Sequence, residues 1–365
     1  MTTGEDAGQL ARAVRAGSPL AGSGGVLATT RRLSRQFFGA GVLDAALCLP
    51  GVSDVVVNGP GVVWVDCGEG LQDSGVRVDS DSELRALAHR LVAAAGRRLD
   101  DACPFADARM ADGTRVHVVL PPIASQGTTI SLRVPPARTF SLEDLVAAGS
   151  LAPAGRDLLR ALVAARVSFV VTGGTGTGKT TVLSTLLSEV SPQHRVLLVE
   201  DSAELRPRHP HVVRLEARPA NAEGAGAVTL AVLVRQALRM RPDRLVVGEV
   251  RGAEVTDLLA ALNTGHEGGC ATVHANRPRD VPARFEALGA AAGLSQATTH
   301  AQLVAGVQAV VHLRRAPGGR RIVDSLSVVE PDRGLAQVRV AMWLSPEECR
   351  PGPAADALAE LLSVV

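Results

Sequence analysis

VVTGGTGTGKTTVL, Val170–Leu183, decides the fold of this 365-residue chain. Gly173 and Gly178, followed by Lys179 and Thr180, fit the spacing G-x-x-x-x-G-K-[ST]. An apolar, β-branched run, Val167 to Val171, comes before the glycines, and a helix-compatible stretch, Thr181 to Glu189, comes after them. Strand, glycine turn and helix in that order build a phosphate cradle. Glycines let the main chain curl until successive N–H groups point inward, and the helix N-terminus adds favourable partial charge. Lys179 is the only lysine among 38 basic residues; all the others are arginine. An ammonium is a compact charge on a flexible stem, whereas a guanidinium is a wide fork that fits poorly among tightly wrapped oxygens. The chain keeps lysine at the one position that must reach the β- and γ-phosphates. Gly173, Gly174, Thr175, Gly176, Thr177, Gly178, Lys179, Thr180 and Thr181 are therefore the expected contacts to the phosphates of a nucleotide, with Thr180 holding Mg2+ through its hydroxyl.

Working outward, strands and helices alternate. Strands are expected at Val167–Val171, Arg195–Val199 and Leu245–Val247, and helices at Lys179–Glu189, Val228–Arg239 and Ala253–Leu262. That order predicts an α/β fold with a mostly parallel sheet under helices. Two further helices are expected near Leu142–Ala148 and Gly155–Ala165. Additional strands and turns are expected over Gln302–Leu313, Arg321–Val328 and Leu335–Trp343. Upstream the period changes. Two β-branched runs flank Asn58-Gly59-Pro60-Gly61, a second hairpin is centred on Asp112-Gly113, and Thr128–Val134 is a further strand. Leu84, Leu87, Ala88 and Leu91 form one stripe of a helix within Asp81–Gly96. Pro135-Pro136 breaks regular structure. The expected organisation is a helical N-terminal extension (1–50), a small α+β domain (51–134), a linker (135–140) and a phosphate-loop domain (141–365).

Acid falls where such a sheet would place it. RLVVGEVR, Arg244–Arg251, is a buried-strand pattern ending in Gly248-Glu249, where an attacking water and Mg2+ would lie. Glu249 could orient or deprotonate that water. Glu200, Asp201 and Glu204 cluster at the end of a second strand, either supporting the metal or water or enriching a helix start. His266 and His274 lack the i,i+4 spacing of a helical metal pair, and spacing alone favours one exposed and one packed histidine. Arg115, Arg133, Arg235, Arg239 and Arg241 are candidates for extra cationic help at the transition state.

Composition narrows the classes. Net charge is +1 and aromatics are 2% with no tyrosine, so no global electrostatic pull toward nucleic acid is expected, local basic patches apart, and base stacking on aromatic platforms is disfavoured. Five widely spaced cysteines make neither a zinc module nor a disulfide framework and fit a reducing compartment. No signal-peptide core and no bilayer-length apolar run is seen.

VVTGGTGTGKTT, VEDSAEL, ALRMRPDRLVVGEVRGAE and TGHEGGCATVHA follow one another in that order. Together they resemble the four signatures of the ATPases of type II secretion, type IV secretion and type IV pilus systems: a phosphate loop, an "Asp box", an atypical second Walker motif ending in Gly-Glu, and a "His box". VSDVVVNGPGVVWVD and RMADGTRVHVVLPP resemble the N-terminal domain of tight-adherence (Tad/Flp) pilus ATPases and of conjugation-type traffic ATPases. The resemblance covers about Val52 to Val329. It implies a RecA-like P-loop ATPase domain preceded by a small α+β N-terminal domain. It also implies a hexameric, Mg2+-dependent ATP hydrolase in the cytoplasm, peripheral to the inner face of the cell membrane on a polytopic platform protein. By position, Glu249 would be the catalytic glutamate, Glu204 the Asp-box glutamate and His274 a His-box residue, while Arg115 and Arg133 would reach the phosphates. General type II secretion members usually carry a four-cysteine zinc module, which this chain lacks; that favours the tight-adherence or conjugation branch. The competing expectations are a RecA-like nucleic-acid motor and a scaffold that binds ATP without turnover.

Overall fold

A computed structural model describes residues 39–363, except 69, 111, 136–138, 219, 221–224 and 266. Residues 1–38 of the helical extension expected over 1–50, and His266, lie outside the described residues. The chain divides into two units, Met1–Pro136 and Ala137–Val365.

In the first unit, alternating burial builds one antiparallel sheet. Its strands are β1 (Asp54–Asn58), β2 (Gly61–Asp66), β3 (Leu71–Val78), β4 (Phe105–Arg109), β5 (Arg115–Val119) and β6 (Thr129–Arg133), in the order β3-β2-β1-β6-β5-β4. Val55, Val57, Val116, Val118, Ile130 and Leu132 face a core shared with helix α1 (Asp81–Ala94). Ser80 caps α1 by accepting from Glu83 N, and the helix buries Leu84, Leu87, Ala88, Leu91 and Val92. Each such leucine stabilises the unit by about 1.5–3 kcal/mol relative to exposure. The intervening residues form the opposite face. There the register sets Asp54 beside Arg133, Arg133 beside Arg115, and Arg115 beside Arg109.

The second unit is built on nine strands: β7 (Phe169–Gly173), β8 (Val196–Glu200), β9 (Val212–Glu216), β10 (Arg244–Val247), β11 (Cys270–Val273), β12 (Ala309–Arg315), β13 (Arg321–Asp332), β14 (Leu335–Ser345) and β15 (Glu348–Pro351). Their order is β15-β14-β13-β12-β7-β11-β10-β8-β9; β12 through β9 run parallel, and β13, β14 and β15 add antiparallel. β7 is buried at all five positions, as a parallel strand covered on both faces must be. Phe169 and Val171 enter one core and Val170 the other. The first core gathers helices α2 (Leu142–Ala147), α3 (Pro153–Ala164), α4 (Lys179–Ser188) and α9 (Ala355–Leu362). The second gathers α5 (Leu230–Leu238), α6 (Glu254–Leu262), α7 (Val281–Ala291) and α8 (Gln296–Gly306).

One expectation needs correcting. Gln302–Gly306, expected within strands and turns, is the end of α8; only Ala309–Arg315 is strand. Ser295 accepts from Thr298 N to start that helix, and burial of Thr299, His300 and Leu303 holds it despite its two threonines.

Candidate functional site

Strand order places the site. After β7 the chain crosses through α4 to β8, which lies beyond β11 and β10 in the sheet. Registers bring Thr172 beside Val273, Val247 beside Ala271, and Val199 beside Val247. The residues that follow these strands, at their carboxyl ends, therefore converge in one crevice.

The loop from Gly173 to Gly178 curls there. Gly173, Gly176 and Gly178 have φ of +151°, +70° and +95°. A Cβ on Gly173 would lie 2.5 Å from Leu313 O and 2.7 Å from Thr177 Oγ1, so the loop seats directly against β12 only because that residue is glycine. Gly178 precedes α4, whose first turn offers N–H groups to an anion. A loop curled through three positive-φ glycines at a helix start fits a phosphate chain.

Lys179 is buried, and its Nζ donates to Gly173 O at 3.0 Å and Gly174 O at 2.9 Å. It also lies 3.3 Å from His274 Nδ1. His274 Nε2 lies 2.8 Å from Glu249 Oε1, and Arg251 pairs with Oε2 of the same carboxylate. Lys179, His274, Glu249 and Arg251 thus form one continuous chain of contacts. Burial lowers the Lys179 ammonium, with Glu249 opposing and Arg251 adding to the shift. Burial also lowers His274, and the neighbouring Lys179 charge lowers it further. At Glu249 burial acts upward, but Arg251, His274 and Lys179 outweigh it, and the carboxyl sits below its ordinary value. At neutral pH this is an ionised carboxylate beside a neutral imidazole.

Below this chain lies Glu200, buried at the end of β8. Its Oε1 accepts from Glu204 N and Leu205 N, both at 2.9 Å. A Cβ on Gly248 would lie 2.8 Å from Glu200 Cγ, so the residue before Glu249 packs directly on this carboxyl group. Glu204 contributes its amide to Glu200, and Asp201 and Glu204 both act electrostatically on Arg251. Thr272 Oγ1 donates to Gly248 O at 2.6 Å and Val250 N donates to Thr272 O, fixing the turn that carries Glu249.

Of the residues expected from sequence, Lys179, Glu249 and His274 meet directly. Thr180 and Thr181 sit in the first turn of α4. Thr180 offers a hard hydroxyl oxygen of the kind Mg2+ takes. Arg133 and Arg115 lie in the first unit, where Arg133 Nε donates to Asp54 Oδ1 at 3.1 Å. Arg235 pairs with Asp257 between α5 and α6, and Arg239 bonds Gln236, so these two serve helix surfaces. Sequence reasoning missed Arg251 and the buried anchoring role of Glu200. Arg251 was legible only as the residue two after Glu249. Among the described residues no cluster of three or more metal-ligating side chains occurs, and the five cysteines are free.

A doubly wound sheet with a glycine loop after β7 and a carboxylate after β10 defines a P-loop ATPase fold of the RecA-like kind, here preceded by a small α+β domain. The chain belongs to the Type II/IV secretion system protein family, which matches residues 41–342. It is 54% identical over 324 residues to a putative conjugal transfer protein of Mycobacterium tuberculosis, covering 87% of this chain and 92% of that one. It is 32% identical over 307 residues to the type IV secretion system protein PtlH of Bordetella pertussis, covering 75% of this chain and 89% of that one. Among solved structures, the pilus retraction motor PilT with bound ADP shares the fold with a TM-score of 0.58 at 21% identity, over 80% of this chain and 83% of that one.

Proposed function

We propose that the chain hydrolyses ATP to drive a secretion or pilus machine. The observation that carries this reading is the contact chain from Lys179 through His274 to Glu249, which ties the phosphate loop to a carboxylate at the next strand tips. Lys179 leaves its loop carbonyls to meet the β- and γ-phosphates of the substrate. Glu249, held ionised, orients the attacking water and takes its proton. His274 lies between them and changes partner when a γ-phosphate draws Lys179 away. Bound Mg2+, held by Thr180, would neutralise charge building on the phosphates. Arg115 and Arg133 complete the phosphate contacts of a homo-hexameric ring. The small domain spans 51–134, after a helical extension (1–50), and a 135–140 linker joins it to the ATPase domain (141–365).

The machine we favour is the tight-adherence (Tad/Flp) type IV pilus, with the chain cytoplasmic and peripheral to the inner face of the membrane on a polytopic platform protein. Among the described residues no helix is long and apolar enough to cross a membrane. The alternative is a conjugation or type IV secretion traffic ATPase, supported by the names of the relatives above.

The test is phosphate release by the full chain with and without Mg2+, repeated with single-stranded DNA and with platform-containing membranes. Mg2+-dependent release stimulated by the membranes is expected. No release under any condition would leave a nucleotide-gated scaffold, and stimulation by DNA alone would make the protein a nucleic-acid motor.

A further inference from the structure

We propose that Arg315 and Arg321 are positioning residues, a guanidinium clasp that sets the phosphate loop's affinity for nucleoside di- and triphosphates; this rests on the nucleotide reading of the loop. Arg315 ends β12, Arg321 begins β13, and the register sets them directly opposite each other. Both reach across to the loop. Arg315 Nη2 donates to Gly176 O at 3.1 Å, and Arg321 Nε donates to the same oxygen at 2.9 Å. A Cβ on Gly176 would stand 3.0 Å from Arg315 Nη2, and one on Gly178 would stand 3.6 Å from Arg321 Cδ. The Arg315 guanidinium therefore occupies space that a side chain on Gly176 would need, while Arg321 lies at ordinary contact distance from a Cβ on Gly178.

The pairing has an electrostatic cost that the loop alone does not cancel. Like charges opposite each other across two strands repel. Other arginines of this hairpin have carboxylates: Arg314 pairs with Asp324 and Arg320 with Glu347. Among the described residues Arg315 and Arg321 form no ion pair, and they share one neutral carbonyl. Each guanidinium has five N–H donors. Two positive charges with most donors uncommitted, against the rim of an anion cradle, call for polyphosphate.

The clasp also acts through the peptide it holds. A trans peptide points its N–H opposite to its C=O. Fixing Gly176 O therefore fixes the Thr177 N–H, turned away from the hairpin. Two charge-assisted bonds to that carbonyl polarise the amide and strengthen its N–H as a donor. On the far side Thr177 Oγ1 donates to Gly174 O at 2.9 Å, so the turn is held from both ends. A loop already shaped spends less free energy on ordering when phosphate arrives.

The experiment titrates MgADP into the full chain by calorimetry and measures KM and kcat for ATP. Arg315→Ala and Arg321→Ala should each weaken MgADP binding and raise KM by about three- to tenfold, with kcat within about twofold of wild type. Arg321→Lys, which keeps the charge, should recover part of the affinity that Arg321→Gln does not. Arg320→Ala removes the same charge from the same hairpin but leaves the clasp, and should change neither constant. If wild type binds MgADP and both alanine variants match it within about twofold, the clasp is refuted while the nucleotide reading stands. A fall in kcat at unchanged affinity, or an equal loss in Arg320→Ala, refutes it too. Wild-type protein that binds no MgADP overturns the nucleotide reading and the clasp together.

Discussion

Replacing Glu200 by glutamine should change how stability depends on pH, and the size of the change follows from where the carboxyl sits. Glu200 is 4% exposed; its Oε1 takes two backbone amides, and its Oε2 has no partner among the described residues. Burial pushes the carboxyl from 4.5 up to about 7, against the opposing pull of the Leu205 and Glu204 amides. The unfolded chain therefore releases this proton near pH 4.5, while the folded chain keeps it until about pH 7. Across that window the native state binds more protons, so this group's contribution to stability falls as pH rises and levels off above the folded value. At about 1.4 kcal/mol per unit, the loss amounts to roughly 3 kcal/mol. Glu200→Gln keeps an acceptor for both amides and cannot ionise. Relative to wild type it should gain roughly 3 kcal/mol between pH 4.5 and pH 8, or about 6–12 °C in melting temperature for a domain of this size. Thermal unfolding of both proteins at several pH values across that range reads the difference directly. A gap between the two curves that stays constant within about 1 kcal/mol, or that moves in wild type's favour as pH rises, would refute the reasoning.

Three further outcomes are expected. Lys179→Ala should abolish hydrolysis chiefly by weakening nucleotide binding, at least about a hundredfold in Kd, because a buried ammonium facing the phosphates is lost; wild-type-like turnover in a phosphate-release assay would remove Lys179 from the site. Glu249→Gln should still bind ATP but turn it over on the order of a hundredfold or more slowly, whereas unchanged single-turnover rates would move the base elsewhere, with Glu204 next. Gly173→Ala should cost at least about 1–3 kcal/mol of stability, since its methyl would meet Leu313 O at 2.5 Å, and MgADP should no longer raise its melting temperature; a variant as stable and as nucleotide-responsive as wild type would show that the loop can seat away from β12.

Much of the fold was legible because its signals are local. β7, α4, β8, α5, β10 and α6 came from apolar runs and helical spacing, and the hairpins of the first unit came from turn residues between β-branched runs. Several of the elements that escaped have weak local signals, although α7 and α9 escaped despite being rich in helix formers. β3 is mostly exposed and reads LQDSGVRV, without clean alternation. β9 is a half-exposed edge strand, and β11 is only four residues inside a glycine-rich stretch. α8 has two threonines and no strong helix-former pattern, so its helical state comes from a cap and from packing.

The sequence by itself determined the phosphate loop, down to the single lysine and the glycines that curl the chain, because curling and helix initiation depend on residues a few positions apart. It also placed an acid at the end of a buried strand. Only the tertiary structure decided which acid faces the loop and with what partners. His274 is 95 residues from Lys179, and the arginines on Gly176 are 139 and 145 residues away from it. Those meetings depend on strand order and register, which are set by how the two faces of the sheet bury their side chains. No local pattern encodes them.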